Sequence, residues 1–158
     1  GTITDSQYLL SFSDSSNYSF TILLSSSSIV LYISSNGTSW GYSLGHASDL
    51  VVGRWYHVGV TYDNADAGAV IRIWDDTAQA IVGVNATGTL AQPFIGTSIF
   101  AISKNSTALA TDGNLDEVVV FNDELTSITD GEIDQIRAGT YGAAGAAGFM
   151  TLNTGYWT

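Results

Sequence analysis

Gly53-Arg54-Trp55-Tyr56-His57-Val58-Gly59-Val60-Thr61-Tyr62-Asp63 reads as a β-strand that leaves a glycine turn and ends at a polar one. Its β-branched and aromatic residues suit a pleated, half-buried surface. A second stretch, Gly113-Asn114-Leu115-Asp116-Glu117-Val118-Val119-Val120-Phe121, has the same form. Each is expected to bury apolar residues in a sheet, so the chain is predicted to be all-β.

Working outward, Asp63-Asn64-Ala65-Asp66-Ala67-Gly68 is a turn, and Val70-Ile71-Arg72-Ile73-Trp74 runs back to a second turn at Asp75-Asp76-Thr77. Upstream, Tyr8–Phe12, Tyr18–Leu24 and Ile29–Ile33 are three further strands. They are spaced as in a sandwich and separated by Asp14-Ser15-Ser16-Asn17 and a serine run at 25–28. Asn36-Gly37 supplies the positive φ angles of a type I′ hairpin. Downstream, Ile81–Val84 and Phe94–Gly96 read as short strands, with Pro93 placing the second at an edge or a strand start. Phe100-Ala101-Ile102 precedes a polar loop from Ser103 to Asp112. One helix is predicted, at about residues 130–138. Thr129 and Glu132 have capping-box spacing, Ile133 and Ile136 share a face, Arg137 suits the negative end and Gly139 stops it.

Seventeen glycines and a single proline agree with many tight turns, and no apolar run reaches the ~20 residues of a membrane helix. A chain of 158 residues is expected to form one domain. Fifteen acidic residues face only Arg54, Arg72, Lys104 and Arg137, a net charge of −11. That charge repels phosphate backbones and anionic membranes, which argues against nucleic-acid binding; solubility is its simplest role. Cysteine is absent, so neither a disulfide nor a thiolate is available and the compartment is not indicated. Sequons begin at Asn17, Asn36, Asn85 and Asn105 and matter only in a glycosylating pathway. The chain opens at Gly1 with no visible signal peptide, which reads as a processed form or a piece of something longer. At the other end, Gly139, Gly142, Gly145 and Gly148 recur every third residue without the proline a collagen helix needs, as in a flexible spacer. Phe149, Met150, Leu152, Tyr156 and Trp157 then form an apolar tail expected to dock on this domain or a neighbour.

Trp-Tyr-His-Val…Tyr-Asp at 55–63 and Gly-Asn-Leu-Asp-Glu-Val-Val-Val-Phe at 113–121, as a spaced pair, resemble the laminin-G-like, or concanavalin A-like, family. The Leu125-Thr126 and Glu132-Ile133 pairs resemble the close of such domains. The resemblance implies an antiparallel two-sheet jelly-roll sandwich over residues 1–138 with one short C-terminal helix, followed by the spacer and tail at 139–158. The family usually opens with one or two strands before the point matched by Tyr8-Leu9-Leu10, so the chain is expected to start inside the fold. The turn after Trp74 departs from the family's frequent Asn-Gly. Some of the pattern is most similar to phage-encoded versions.

The family binds glycans or proteins and only sometimes catalyses. Its hydrolases place acids at Glu-x-Asp-x-x-Glu, on alternate positions of one strand. Here Asp116-Glu117 and Asp75-Asp76 are adjacent pairs whose members point to opposite faces. No Gly-x-Ser-x-Gly occurs, and no enzyme is expected. The resemblance also implies Ca2+ at the sandwich rim, for which Asp112, Asn114 and Asp116 are spaced to offer oxygens. The competing reading is a turn start and a backbone hydrogen bond. Asp63 and Asp66 are a weaker pair. Trp40, Tyr42 and His46 follow the Asn36-Gly37 turn as candidates for stacking on a sugar and fixing its hydroxyls. The competing role for Trp40 is packing. Trp55 and Trp74 are expected in the core, and His57 is expected to be a hydrogen-bonded structural histidine.

The leading function is therefore non-catalytic recognition of a cell-surface or matrix glycan or protein, aided by calcium, in an extracellular or virion-surface setting. The alternative is a structural subunit of a virion or other assembly, self-associating through sheet edges and Phe149, Tyr156 and Trp157.

Overall fold

The computed structural model describes residues 6–14, 16–97, 99–103, 111–121, 124–127 and 129–141. Within them lie strands β1 (Gln7–Ser13), β2 (Tyr18–Ser25), β3 (Ser28–Ile33), β4 (Tyr42–His46), β5 (Tyr56–Tyr62), β6 (Gly68–Asp75), β7 (Ala80–Ile81), β8 (Ala86–Thr89) and β9 (Phe100–Ile102), and helix α1 (Glu132–Arg137). A five-stranded antiparallel sheet has the order β4-β3-β2-β1-β9. The second sheet places β6 between β5 and the successive short strands β7 and β8.

Alternation decides which side chains meet. In β3, Ile29, Leu31 and Ile33 share one face and are almost fully buried; in β6, Ala69, Ile71 and Ile73 do the same. These rows, with Leu50 and Leu90, are the centre of the sandwich, and Val58, Val60 and Tyr62 from β5 pack beside them. Each buried isoleucine contributes roughly 1.5–3 kcal/mol.

The far face of the second sheet is covered by α1. Arg72 projects there because it alternates with Ile71 and Ile73. Its Nε donates to Asp134 Oδ1 at 2.9 Å and its Nη2 to Asp134 Oδ2 at 2.7 Å. Its Nη1 donates to Asn85 Oδ1, and Asn85 Nδ2 in turn donates to the Ser127 carbonyl. Both charged side chains are buried, so they depend on this paired, bidentate geometry. The Arg72 hydrogen bonds hold the Asp134 carboxyl below its usual pKa, more than offsetting its burial. Beside them Ile133 lies over Gly59, where an added Cβ would stand 2.6 Å from Ile133 Cγ2. Arg137 stacks on the Trp74 ring at 3.8 Å.

Several expectations change in three dimensions. The type I′ geometry falls on Ser26-Ser27 (φ 47° and 65°), joining β2 to β3 through the Ser25–Ser28 pair, and not on Asn36-Gly37. Asn36 instead folds its side-chain oxygen onto the amides of Thr38 and Ser39, an Asx turn that widens the connection. The reciprocal cap of α1 involves Thr126, not Thr129. The Thr126 amide donates to Glu132 Oε2, and the Glu132 amide donates to Thr126 Oγ1. The helix N-cap is Gly131, and Gly139 (φ 68°) ends the helix as expected.

Strand structure in the 81–84 region is confined to Ala80–Ile81, and Phe94–Gly96 is not a strand; β8 takes its place beside β6. Trp55 is 53% exposed, because alternation with Tyr56 and Val58 turns it to the face away from the core. Trp74 is half-buried beneath Arg137. Residues 114–121 join no ladder: Glu117 has φ 51°, which breaks alternation, and Leu115, Val119 and Val120 are exposed. The predicted tail contacts Phe149, Tyr156 and Trp157 lie outside the described residues.

Candidate functional site

The connection from β3 to β4 is built to present an aromatic ring. Ser34 Oγ accepts from the Gly37 amide and donates to Asn36 Oδ1. Gly37 has φ 78°, and an added Cβ would meet the Phe94 ring at 2.7 Å. The Phe94 amide donates to the Ser34 carbonyl, and the Tyr18 amide to the Gly37 carbonyl. Held at these points, the loop lays Trp40 against Tyr18 at 4.9 Å and near Tyr32 at 6.4 Å between ring centroids. All three rings are half-buried, and Asn36, Thr38 and Ser39 beside them are exposed. The result is a tilted aromatic surface edged by hydroxyls and an amide, suited to the apolar C–H face of a sugar ring.

Of the predicted trio, only Trp40 belongs to this cluster. Tyr42 and His46 sit at opposite ends of β4, roughly 13 Å apart along a strand. Tyr42 is exposed at the start, paired with Ile33. His46 is 2% exposed, paired with Ile29, with its Nδ1 3.1 Å from Ser48 Oγ. Burial pushes its pKa down and keeps the imidazole neutral. It is a core histidine and does not reach a sugar site. The strand Tyr42–His46 was not predicted, and it turns alternate side chains inward.

Tyr18 and Tyr32 were missed as partners of Trp40. Tyr32 does carry a signal, since it alternates with the core residues Leu31 and Ile33 and so faces away from them. Its proximity to residue 40 depends on the path of the loop and is not local information.

Asp112, Asn114 and Asp116 are all exposed on the unpaired stretch. The Asp112 amide donates to Gln7 Oε1, and Asp116 Oδ1 accepts from the Glu117 amide. Alternate spacing would align the three side chains only on a regular strand, which this stretch is not. Among the described residues no three His, Cys, Asp or Glu side chains are grouped as a metal requires. A calcium site draws on six to eight oxygens, more than these three side chains alone supply.

Asp75 lies inside its turn. Its Oδ2 accepts from Arg54 Nη1 at 2.8 Å, and its Oδ1 accepts from the amides of Thr77 and Ala78. Those amide bonds and Arg54 hold its carboxyl below the usual pKa range. His57 stands opposite Trp74 under α1. Burial and the Arg137 charge lower its pKa, in keeping with a structural role. The Asn85 sequon is engaged with Arg72 and Ser127, whereas Asn36 is exposed.

A laminin-G-like family model, described as the concanavalin A-like lectin/glucanases superfamily, matches residues 2–129. No curated protein and no solved structure matches the chain.

Proposed function

Because the chain belongs to the concanavalin A-like lectin/glucanases superfamily, we propose that it is a non-catalytic module that recognises glycans at the Trp40 end of its five-stranded sheet. The observation that carries this reading is the Tyr18–Trp40–Tyr32 cluster beside an exposed polar loop. A pyranose lies with its C–H face on the rings while Asn36, Thr38 and Ser39 supply donors and acceptors to its hydroxyls. Glycoside hydrolysis needs two carboxyl groups flanking the bond. Residues 34–43 contain neither Asp nor Glu, which favours binding over cleavage at this end.

An extracellular setting, usual for laminin-G-like domains, fits this reading. Among the described residues no helix is long and apolar enough to cross a membrane.

The test is a glycan array probed with wild type and Trp40→Ala, each with calcium and with EDTA. Binding that falls about tenfold or more in Trp40→Ala supports the site, and calcium-dependent signal would bring Asp112, Asn114 and Asp116 back into consideration. Binding unchanged in Trp40→Ala sinks this placement.

A structural role in an extracellular assembly is favoured by one observation, the exposed Phe100 and Ile102 on the outermost described strand β9, with exposed Ile99 just before it. Solution mass separates the readings: a monomer at high concentration counts against assembly through that edge.

A further inference from the structure

Trp55 is the most exposed tryptophan for which the structure describes a side chain, and the turn beside it is closely hydrogen-bonded. The Asp76 amide donates to the Trp55 carbonyl at 3.0 Å, which extends the β5–β6 ladder one rung past the Tyr56–Asp75 pair. Trp55 and Asp76 are therefore cross-strand neighbours, directed to the same side of the sheet. Gln79 Nε2 donates to Asp76 Oδ1 at 3.0 Å and to the Asp76 carbonyl at 2.6 Å.

The turn beneath is fixed by Asp75, which caps the Thr77 and Ala78 amides and is itself held by Arg54. Gln79 adopts φ 52° in that turn. A side chain other than Gly, Asn or Asp is uncommon in that region, and such outliers concentrate at ligand sites.

We propose that Trp55, Asp76 and Gln79 form a second sugar-binding site, for neutral hexopyranoses, at the open end of the four-stranded sheet. Trp55 offers a face for ring stacking. The Asp76 carboxylate accepts from two adjacent hydroxyls, and the Gln79 amide, whose two N–H groups are both directed to Asp76, presents its carbonyl to a third. Asp76 and the net charge of −11 exclude uronic acids and sialic acids. The site shares with the Trp40 reading only the glycan nature of the ligand; it uses different residues and neither site needs the other.

Nuclear magnetic resonance of the tryptophan indole N–H groups, assigned with Trp55→Phe and Trp40→Phe, separates the two. The full chain is titrated with the methyl pyranosides of glucose, galactose, mannose and N-acetylglucosamine at millimolar concentration, and with methyl glucuronide as the anionic control. The expected result is a saturable shift of the Trp55 signal with at least one neutral pyranoside, none with the glucuronide, and about tenfold weaker binding in Asp76→Asn and Gln79→Ala. A Trp55 signal unmoved by every neutral probe overturns the proposal, and if the Trp40 signal moves in that titration the first site stands alone. Movement of Trp55 without Trp40 supports this site and counts against the other. A Trp55 shift that survives both Asp76→Asn and Gln79→Ala also overturns the assignment, because the polar pair would then play no part.

Discussion

Residues 53–63 and 113–121 carry the same kind of pattern, a glycine entry followed by β-branched and aromatic residues, yet they end in different states. The first becomes β5, with seven register pairs to β6. The second runs exposed past Val119 and Val120 without joining a ladder. Propensity does not separate them; the distance to a partner does. From Tyr62 the chain reaches Gly68 through one short turn, closed by the Asp63 amide donating to the Gly68 carbonyl, so loop closure costs little. Among the described residues, 113–121 have no hairpin neighbour of their own. They are tied at one side where the Thr111 hydroxyl donates to the Tyr8 carbonyl, and beyond by Leu125 and the cap of α1. A strand is thus a property of a pair, and the tie points alone do not make one.

The sharpest way to break the comparison is to release what holds the β5–β6 unit. Asp134→Ala leaves Arg72 buried without its carboxylate, and a loss of about 3–5 kcal/mol in denaturant unfolding is expected. A loss below 1 kcal/mol, on the order of a surface pair, would mean that α1 is not the clamp on this unit.

Gly59→Ala comes next. Its new methyl meets Ile133 Cγ2, and about 1–3 kcal/mol is expected to be lost, with partial recovery of that loss when the substitution is made in an Ile133→Ala background, which removes Cγ2. Absence of recovery would show that the close approach is not the cause.

A smaller effect follows acidification. His46 and His57 both have folded pKa values below the ordinary one near 6.5. Their unfolded forms therefore take up protons first, and stability present above about pH 6.5 declines as pH falls below it toward the folded values. Asp134, also lowered, adds a separate loss below the usual carboxylate range. The urea midpoint measured from neutral pH downward should fall, and His57→Gln should flatten the first part of that fall. A midpoint that stays level through that window contradicts the burial of both rings.

The smallest effect is expected at the other stretch. Val119→Ser should change stability by less than about 0.5 kcal/mol while the residue stays exposed. A loss above ~1.5 kcal/mol, with protected amides from 118 to 121 in hydrogen exchange, would show this stretch pairing with the free edge of β5. The two regions would then be alike after all.

Legibility followed the same division. Strands β1, β2, β3, β5 and β6, the turn at Asp75 and the stop at Gly139 were readable because each depends on neighbours a few residues away, whereas β4 was not read as a strand. The Trp40 site was half readable. Trp40 stood out as a loop aromatic, but its partners Tyr18 and Tyr32 lie 22 and 8 residues upstream, and His46 was assigned outward although it faces in. Trp55 shows the same limit: it was expected in the core, and the pairing that turns Tyr56 and Val58 inward leaves the indole on the other face, in solvent.

By itself the sequence determined an acidic, all-β chain with one short helix, because composition, alternation and turn chemistry are local and repeat along the chain; the laminin-G-like sandwich was implied by the resemblance of its two spaced motifs. Only the tertiary structure decided which serines form the type I′ turn, which threonine caps the helix, that Arg72 is buried against Asp134, and which tryptophans face solvent. Those outcomes depend on which distant segments arrive at the same place, and short-range pattern carries no record of that.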